Sequence, residues 1–194
     1  MRSQEFILEV NFPEELSVSD RIQNYFFDRG YQLAGEGRDQ IALLSPRNTI
    51  LKVLGIGEDE REQIVKNYVK FFVNNQNDPY IPRIYNVGDF EVDGETYFVY
   101  EMEYLDYVAN EEATLDYLEN LMSAVARGRD RVQEFMKNNP APMELDRDDI
   151  VGLVNTTLKL EQALGGQAPL DLSQIENLRR RSDGHLVIMD PYSL

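Results

Sequence analysis

The hydrophobic positions change their spacing along the chain, and each change marks an element. After Ser17 or Ser19, either of which can serve as a cap, Ile22, Tyr25 and Phe26 recur at helical spacing and stop at Gly30, which predicts a short capped helix. Ahead of it, residues 5–12 (EFILEVNF) read as a short strand or an extended arm. The stretch YQLAGEGRDQIALLSPRNTILKVLG then reads as strand, glycine turn, strand, proline-containing turn, strand. Over residues 58–74 the period returns to helical, with Ile64, Tyr68, Phe71 and Phe72 on one side and acids in the first turn. The segment NDPYIPRIY ends that helix, because each proline disfavours helical backbone in the residue before it.

Asp93-Gly94 lies between two alternating runs, RIYNVGDFEV and ETYFVYEMEYL, and predicts a hairpin closed by a tight primed turn. Residues 113–137 read as one helix, followed by a break at Asn139-Pro140-Ala141-Pro142. Asp146 or Asp148 caps a further helix through Leu164, which Gly165-Gly166 ends. The tail, LRRRSDGHLVIMDPYSL, predicts a second short hairpin around Asp183-Gly184. Strands with one inserted helix come first and helices with a small hairpin follow, so the expected class is α+β in two lobes.

The chain has 194 residues, of which 42% are hydrophobic, enough for a real core and against wholesale disorder. The net charge of −16 repels nucleic-acid phosphates and anionic membranes, so direct nucleic-acid binding and membrane association are not expected. There is no cysteine and a single histidine, His185, which argues against disulfides, thiolate or two-histidine metal sites and a Ser-His-Asp triad. The start, MRSQEFILEV, has the features of neither a signal peptide nor a membrane anchor, and the expected location is the cytoplasm. Between Ile84 and Ala126 there are eleven Asp and Glu and no Lys or Arg. That stretch is either a solvated acidic surface or a face for a basic protein partner. Basic residues gather elsewhere, at Arg127, Arg129 and Arg131 and in the run Arg179-Arg180-Arg181, a solvated strand edge or a phosphate contact.

Two groupings suggest chemistry. Gly35-Glu36-Gly37 sits in a strand–turn–strand, and Lys52 follows in the apolar strand TILKVLG. A G-x-G turn lets backbone amides approach a phosphate, and a lysine in the adjoining strand supplies a positive charge to it. The alternative is a lysine whose stem lies on an exposed strand face with its ammonium in water. Asp190 ends the apolar strand LVIM and Asn177 precedes the same hairpin, so together they offer oxygen ligands to a hard cation such as Mg²⁺. Their alternatives are a turn residue and a surface acid. His185, beside a glycine turn, reads as a surface strand residue, and the stripe from Tyr68 to Phe72 as core.

Taken in order, the glycine turn, the strand lysine, the helix, the acidic hairpin ending in Met102-Glu103-Tyr104-Leu105, the later helices, Asn177 and Asp190-Pro191-Tyr192 resemble the protein-kinase-like fold over residues 31–194. More specifically, the chain resembles the short kinase-like proteins encoded by bacteriophages, which end soon after the Asp-Pro step. Residues 1–30 read as an N-terminal arm and helix, and the resemblance implies a strand-rich N-lobe over 31–106 and a reduced helical C-lobe over 107–194. It also implies Gly35 and Gly37 over the phosphates of ATP, Lys52 on the α- and β-phosphates and Met102 behind the adenine. The backbone of Glu103 and Leu105 would meet the adenine edge, and Asn177 and Asp190 would hold Mg²⁺ in the cleft between the lobes.

The sequence departs from that pattern in several places. Gln40 replaces the third glycine, Val69 stands where the helix should offer a Glu to the lysine, and Leu172 occupies the position of the catalytic base. Asp171 is one residue out and serves as base only if the loop carries an insertion. The expectation is therefore a kinase-fold, pseudokinase-like phage effector with impaired phosphotransfer, binding a host protein through the acidic stretch 84–126. One alternative is an active ATP-dependent phosphotransferase with Asp171 as base. The other is an acidic mimic of nucleic acid that inhibits a host enzyme handling DNA or RNA.

Overall fold

Local chemistry accounts for most of the elements. The computed structural model describes residues 17–37, 40–55, 61–108, 112–164 and 177–189. The arm read over residues 5–12 and the glycine pair 165–166 lie outside them. Helix α1 (Val18–Phe27) starts at Ser17, whose Oγ accepts the Asp20 N–H at 3.1 Å, and turns Ile22, Tyr25 and Phe26 inward. The chain reverses after it at Gly30, with φ of +82°. Strands β1 (Gln32–Glu36), β2 (Gln40–Leu44), β3 (Thr49–Leu54), β4 (Ile84–Val92) and β5 (Glu95–Glu103) form one antiparallel sheet in the order β1-β2-β3-β5-β4. Helix α2 (Arg61–Asn74) lies between β3 and β4 in sequence. Asp93 and Gly94, at φ of +51° and +81°, supply the left-handed pair that a two-residue turn between β4 and β5 requires.

Contacts divide the described residues into two units. The first holds those up to Lys66 together with Arg83–Tyr104, and the second holds Asn67–Pro82 with those from Leu105 onward. In the first, α1 lies on one sheet face, where Ile22, Tyr25 and Phe26 pack with Ile41, Leu43, Val53, Phe90, Tyr97 and Val99. An Arg21–Asp93 ion pair and a Ser19–Glu36 hydrogen bond of 2.5 Å tie that helix to the sheet.

In the second unit, β6 (Asp106–Tyr107), β7 (Leu178–Arg180) and β8 (Leu186–Ile188) form a three-stranded sheet in that order. The sequence pattern concealed β6, since two exposed residues carry no period. The stretch expected as one helix over 113–137 is two, α3 (Glu112–Ala126) and α4 (Arg129–Asn138), because the chain turns at Gly128 with φ of +102°. Helix α5 (Arg147–Leu164) is capped by Asp146, whose Oδ1 accepts the N–H groups of Asp148 and Asp149 at 2.7 and 3.2 Å. It packs against α3 and β8.

The segment 67–82, which the sequence pattern groups with the strands, is held in this unit by side-chain and backbone bonds. Arg181, 7% exposed, donates to the carbonyls of Pro79 (2.6 Å) and Ile81 (2.9 Å), and the Ile188 N–H donates to the Tyr80 carbonyl at 3.0 Å. The Thr156 hydroxyl donates to Asp78 at 2.8 Å. No helix among the described residues is long and apolar enough to cross a membrane.

Candidate functional site

Strand register gathers the first group of candidate residues. Gly35 stands opposite Ala42, Ala42 opposite Lys52, Lys52 opposite Tyr100, and Tyr100 opposite Val87. Opposed residues on neighbouring strands share a face, so these five cross the sheet as one row. Leu51 and Val53 pack toward α1. Side chains alternate along a strand, which sends Lys52 to the other face. Its exposure is 2%, and its side chain is engaged within the protein. An ammonium removed from water needs such compensation. The surface-lysine alternative therefore does not hold. On one side of Lys52 stand the two smallest residues; a Cβ added at Gly35 would meet no atom within 4 Å. On the other stands Tyr100, 1% exposed. Ala42, which sequence reading passed over, is the residue that keeps this row low.

The remaining N-terminal candidates are placed less favourably for a nucleotide. Neither Gly35 nor Gly37 has the positive φ that would demand glycine. The Gly37 N–H closes the β1–β2 turn on the Gln40 carbonyl at 2.9 Å, so that amide is not a free phosphate donor. Met102 lies on the lysine face, opposite Ile50 and Ile84, and is 1% exposed. The Glu103 N–H donates to the Arg83 carbonyl at 3.0 Å and its carboxylate accepts the Arg83 N–H at 2.9 Å, so that backbone donor is closed to an adenine edge. Leu105 is buried at the start of the second unit's second segment. Helix α2 carries one acid, Glu62, and it forms an ion pair with Lys66 one turn along.

In the second unit, Asn177 is 7% exposed and its carbonyl accepts the Met189 N–H at 2.8 Å, closing the open end of the β7–β8 hairpin. Asp190 and Asp171 lie outside the described residues. Among the described residues no three His, Asp or Glu side chains gather as a metal site. The arginine run has three fates. Arg179 lies over the Tyr107 ring at 4.0 Å, Arg180 is half-buried in β7, and Arg181 is the buried tie to Pro79 and Ile81. A solvated edge describes none of Arg181.

His185 is more than a surface strand residue. Its Nδ1 lies 2.7 Å from Asp149 Oδ1, and its ring meets that of Tyr80 edge-on, with centroids 5.8 Å apart. Asp149 also accepts the Leu186 N–H at 3.2 Å, which fastens the hairpin to α5. Burial, then the charge of Asp149, raises the pKa of the Tyr80 hydroxyl.

The acidic stretch is divided. Asp89, Glu91, Asp93, Glu95, Glu101 and Glu103 belong to the first unit, and Asp106, Glu112, Asp116 and Glu119 to the second. Several serve the fold: Asp93 pairs with Arg21, Glu95 accepts the Tyr97 hydroxyl at 2.5 Å, and Glu101 accepts Thr49 and Asn86. Asp89, Asp116 and Glu119 are exposed.

Comparison with known proteins adds no relative: the chain matches no protein-family model and no curated protein sequence.

Proposed function

We propose that this chain is a kinase-fold protein that accepts a nucleotide's phosphates beside Lys52 and acts by binding a basic protein partner rather than by fast phosphotransfer. The row Gly35–Ala42–Lys52 carries the reading: a buried lysine in mid-sheet whose row continues through two small residues. A phosphate entering over Gly35 and Ala42 would join the groups that already hold the ammonium. Weak transfer follows from the supporting groups. The one acid of α2 is held by Lys66, the Gly37 amide is committed to its turn, and in sequence Leu172 takes the position that the kinase pattern gives to its base. Phosphoryl transfer depends on positioning, and losses of this kind cost about 10²-fold in rate.

Calorimetry with ATP and Mg²⁺ tests the reading on the wild type and on Lys52→Ala, Ala42→Leu and Asp190→Ala. Saturable binding that Lys52→Ala and Ala42→Leu both remove supports it. No heat at millimolar ATP, or binding unchanged in both variants, overturns it. Asp190→Ala separates a metal-assisted site from a lysine-only one. Transfer of phosphate at ordinary kinase rates, abolished by Lys52→Ala, would make the protein an enzyme instead. The partner half is tested by capture of basic proteins after charge reversal at Asp89, Asp116 and Glu119, which are exposed. Reversal at Asp93 or Glu95 would disturb contacts of the fold. Capture unchanged by the reversal removes the acidic surface from the proposal.

A further inference from the structure

On the sheet face opposite Lys52, a cavity of about 230 Å³ opens between α1 and the strands. The rings of Tyr25, Phe26 and Phe90, with centroids 5.0 to 5.2 Å apart, form its apolar wall. Gly88 lines the cavity, stands opposite Val99 in the β4–β5 register and contributes no side chain to the face that α1 covers. Nothing in the backbone demands glycine there, since Gly88 is not among the residues at positive φ.

Two opposite charges border this space. The Arg29 guanidinium lies 3.6 Å over the Tyr25 ring and donates to the Tyr25 carbonyl at 2.8 Å. The Glu101 carboxylate is fixed by the Thr49 hydroxyl at 2.5 Å and the Asn86 amide at 2.6 Å, one on each oxygen. A carboxylate offers about four acceptor sites, so two bonds orient it without exhausting it. A cationic ligand would meet Arg29, and an anionic one would meet Glu101 within a chain of net charge −16. A neutral molecule meets neither cost. A wall of aromatic residues favours a flat aromatic body, and a fixed carboxylate at the rim favours an N–H that points at it. Burial, then the neighbouring Glu101 charge, raises the pKa of Tyr31, which keeps a neutral hydroxyl at the same rim.

We infer that this cavity is a binding site for a neutral, planar aromatic heterocycle with an N–H donor directed at Glu101. The inference does not rest on the nucleotide reading, because Lys52 projects from the other face of the sheet. Enclosed, mainly apolar spaces with a few converging polar groups are where small ligands bind.

Indole is the probe and indene, which lacks the N–H, is its control. Both are titrated into the isotope-labelled full chain and followed by amide chemical shifts. For a ligand of this size, saturable binding at about millimolar Kd is the expected strength. Shifts should concentrate at residues 25–31, 86–90 and 99–101, and indene should bind at least about 10-fold more weakly, the value of one charge-assisted hydrogen bond. Gly88→Val fills the space and should abolish the shifts while the circular dichroism spectrum stays that of the wild type. Equal affinity for indole and indene overturns the assigned chemistry. Shifts centred elsewhere, or no saturation at the solubility limit, overturn the site, and both are read on the wild type whatever the variant does.

Discussion

Replacing a helical glycine by alanine ordinarily stabilises a protein by about 1 kcal/mol, and Gly152 in α5 is where that rule should invert. A Cβ built there falls 2.1 Å from Cε2 and Cζ of Tyr80 and 2.2 Å from its hydroxyl oxygen. Ordinary carbon contacts are about 3.5–4.0 Å, so ring and helix must part by roughly 1.5 Å. The Tyr80 backbone is fixed by its bonds, and its ring already meets a neighbour. Tyr80 donates its N–H to Asp78 at 3.1 Å, accepts Ile188 at its carbonyl, and rests edge-on against His185. Overpacking of this degree costs about 3 kcal/mol, the upper part of the usual range. Subtracting the helix gain leaves a net loss of about 2 kcal/mol for Gly152→Ala. Urea unfolding measures it, followed by far-ultraviolet dichroism and by tyrosine fluorescence, since the chain has no tryptophan. With a slope of about 2 kcal/mol per molar, the midpoint should fall by about 1 M. In a Tyr80→Ala background the obstacle is gone, and the same substitution should raise stability by about 1 kcal/mol. A Gly152→Ala protein as stable as the wild type, or one equally destabilised in both backgrounds, would refute the argument.

Arg181→Lys should cost about 2–3 kcal/mol despite keeping the charge, because one ammonium does not reproduce the fork that serves the Pro79 and Ile81 carbonyls; a thermal melt within a degree of wild type would contradict this. Alkaline pH should also destabilise the protein. Burial is the first cause of the raised pKa at Tyr31, Tyr80, Tyr97 and Tyr117, and the bond to Glu95 adds to it at Tyr97. Above about pH 10 the unfolded chain loses these protons first, so their stabilising contribution, complete below that pH, is lost as pH rises through the folded values. Ultraviolet difference titration should show part of the eleven tyrosines ionising only with unfolding, and a single step for all of them would count against it.

Where a feature of the fold depends on neighbours in sequence, it was legible. Ser17 and Asp146 cap their helices because a short side chain with an oxygen reaches amides two or three residues on, and Asp93-Gly94 closes its turn because both can adopt left-handed backbone. Features that depend on distant partners were not. Gly128 splits a pattern that reads as one helix, since an apolar period continues across a turn when both helices bury the same side. Tyr117 of α3 and Phe135 of α4 are in ring contact at 5.3 Å. The segment 67–82 carries no sign of its allegiance in its own residues; the sign lies in Arg181, Thr156 and Ile188, which are distant in sequence.

The candidate site divides along the same line. Lys52 could be singled out from sequence because a lysine inside TILKVLG breaks an apolar strand, and strand period alone then sends it away from α1. Its two small neighbours could not, because Gly35 and Ala42 become its row only through the register of three strands, with Ala34 bulged out of the first pairing. The arginine run shows the converse hazard. Three identical residues in sequence suggested one function, yet strand alternation and the hairpin turn send them to an exposed ring, a half-buried strand position and a buried pair of carbonyls. Charge density misleads in the same way at the acidic stretch, where Asp93, Glu95 and Glu101 are spent on Arg21, Tyr97, Thr49 and Asn86. A carboxylate already bonded within the fold keeps fewer acceptor sites and less freedom for a protein partner. The proposed binding of a basic protein falls to acids the fold has not already used, and the exposed Asp89, Asp116 and Glu119 are where its test begins.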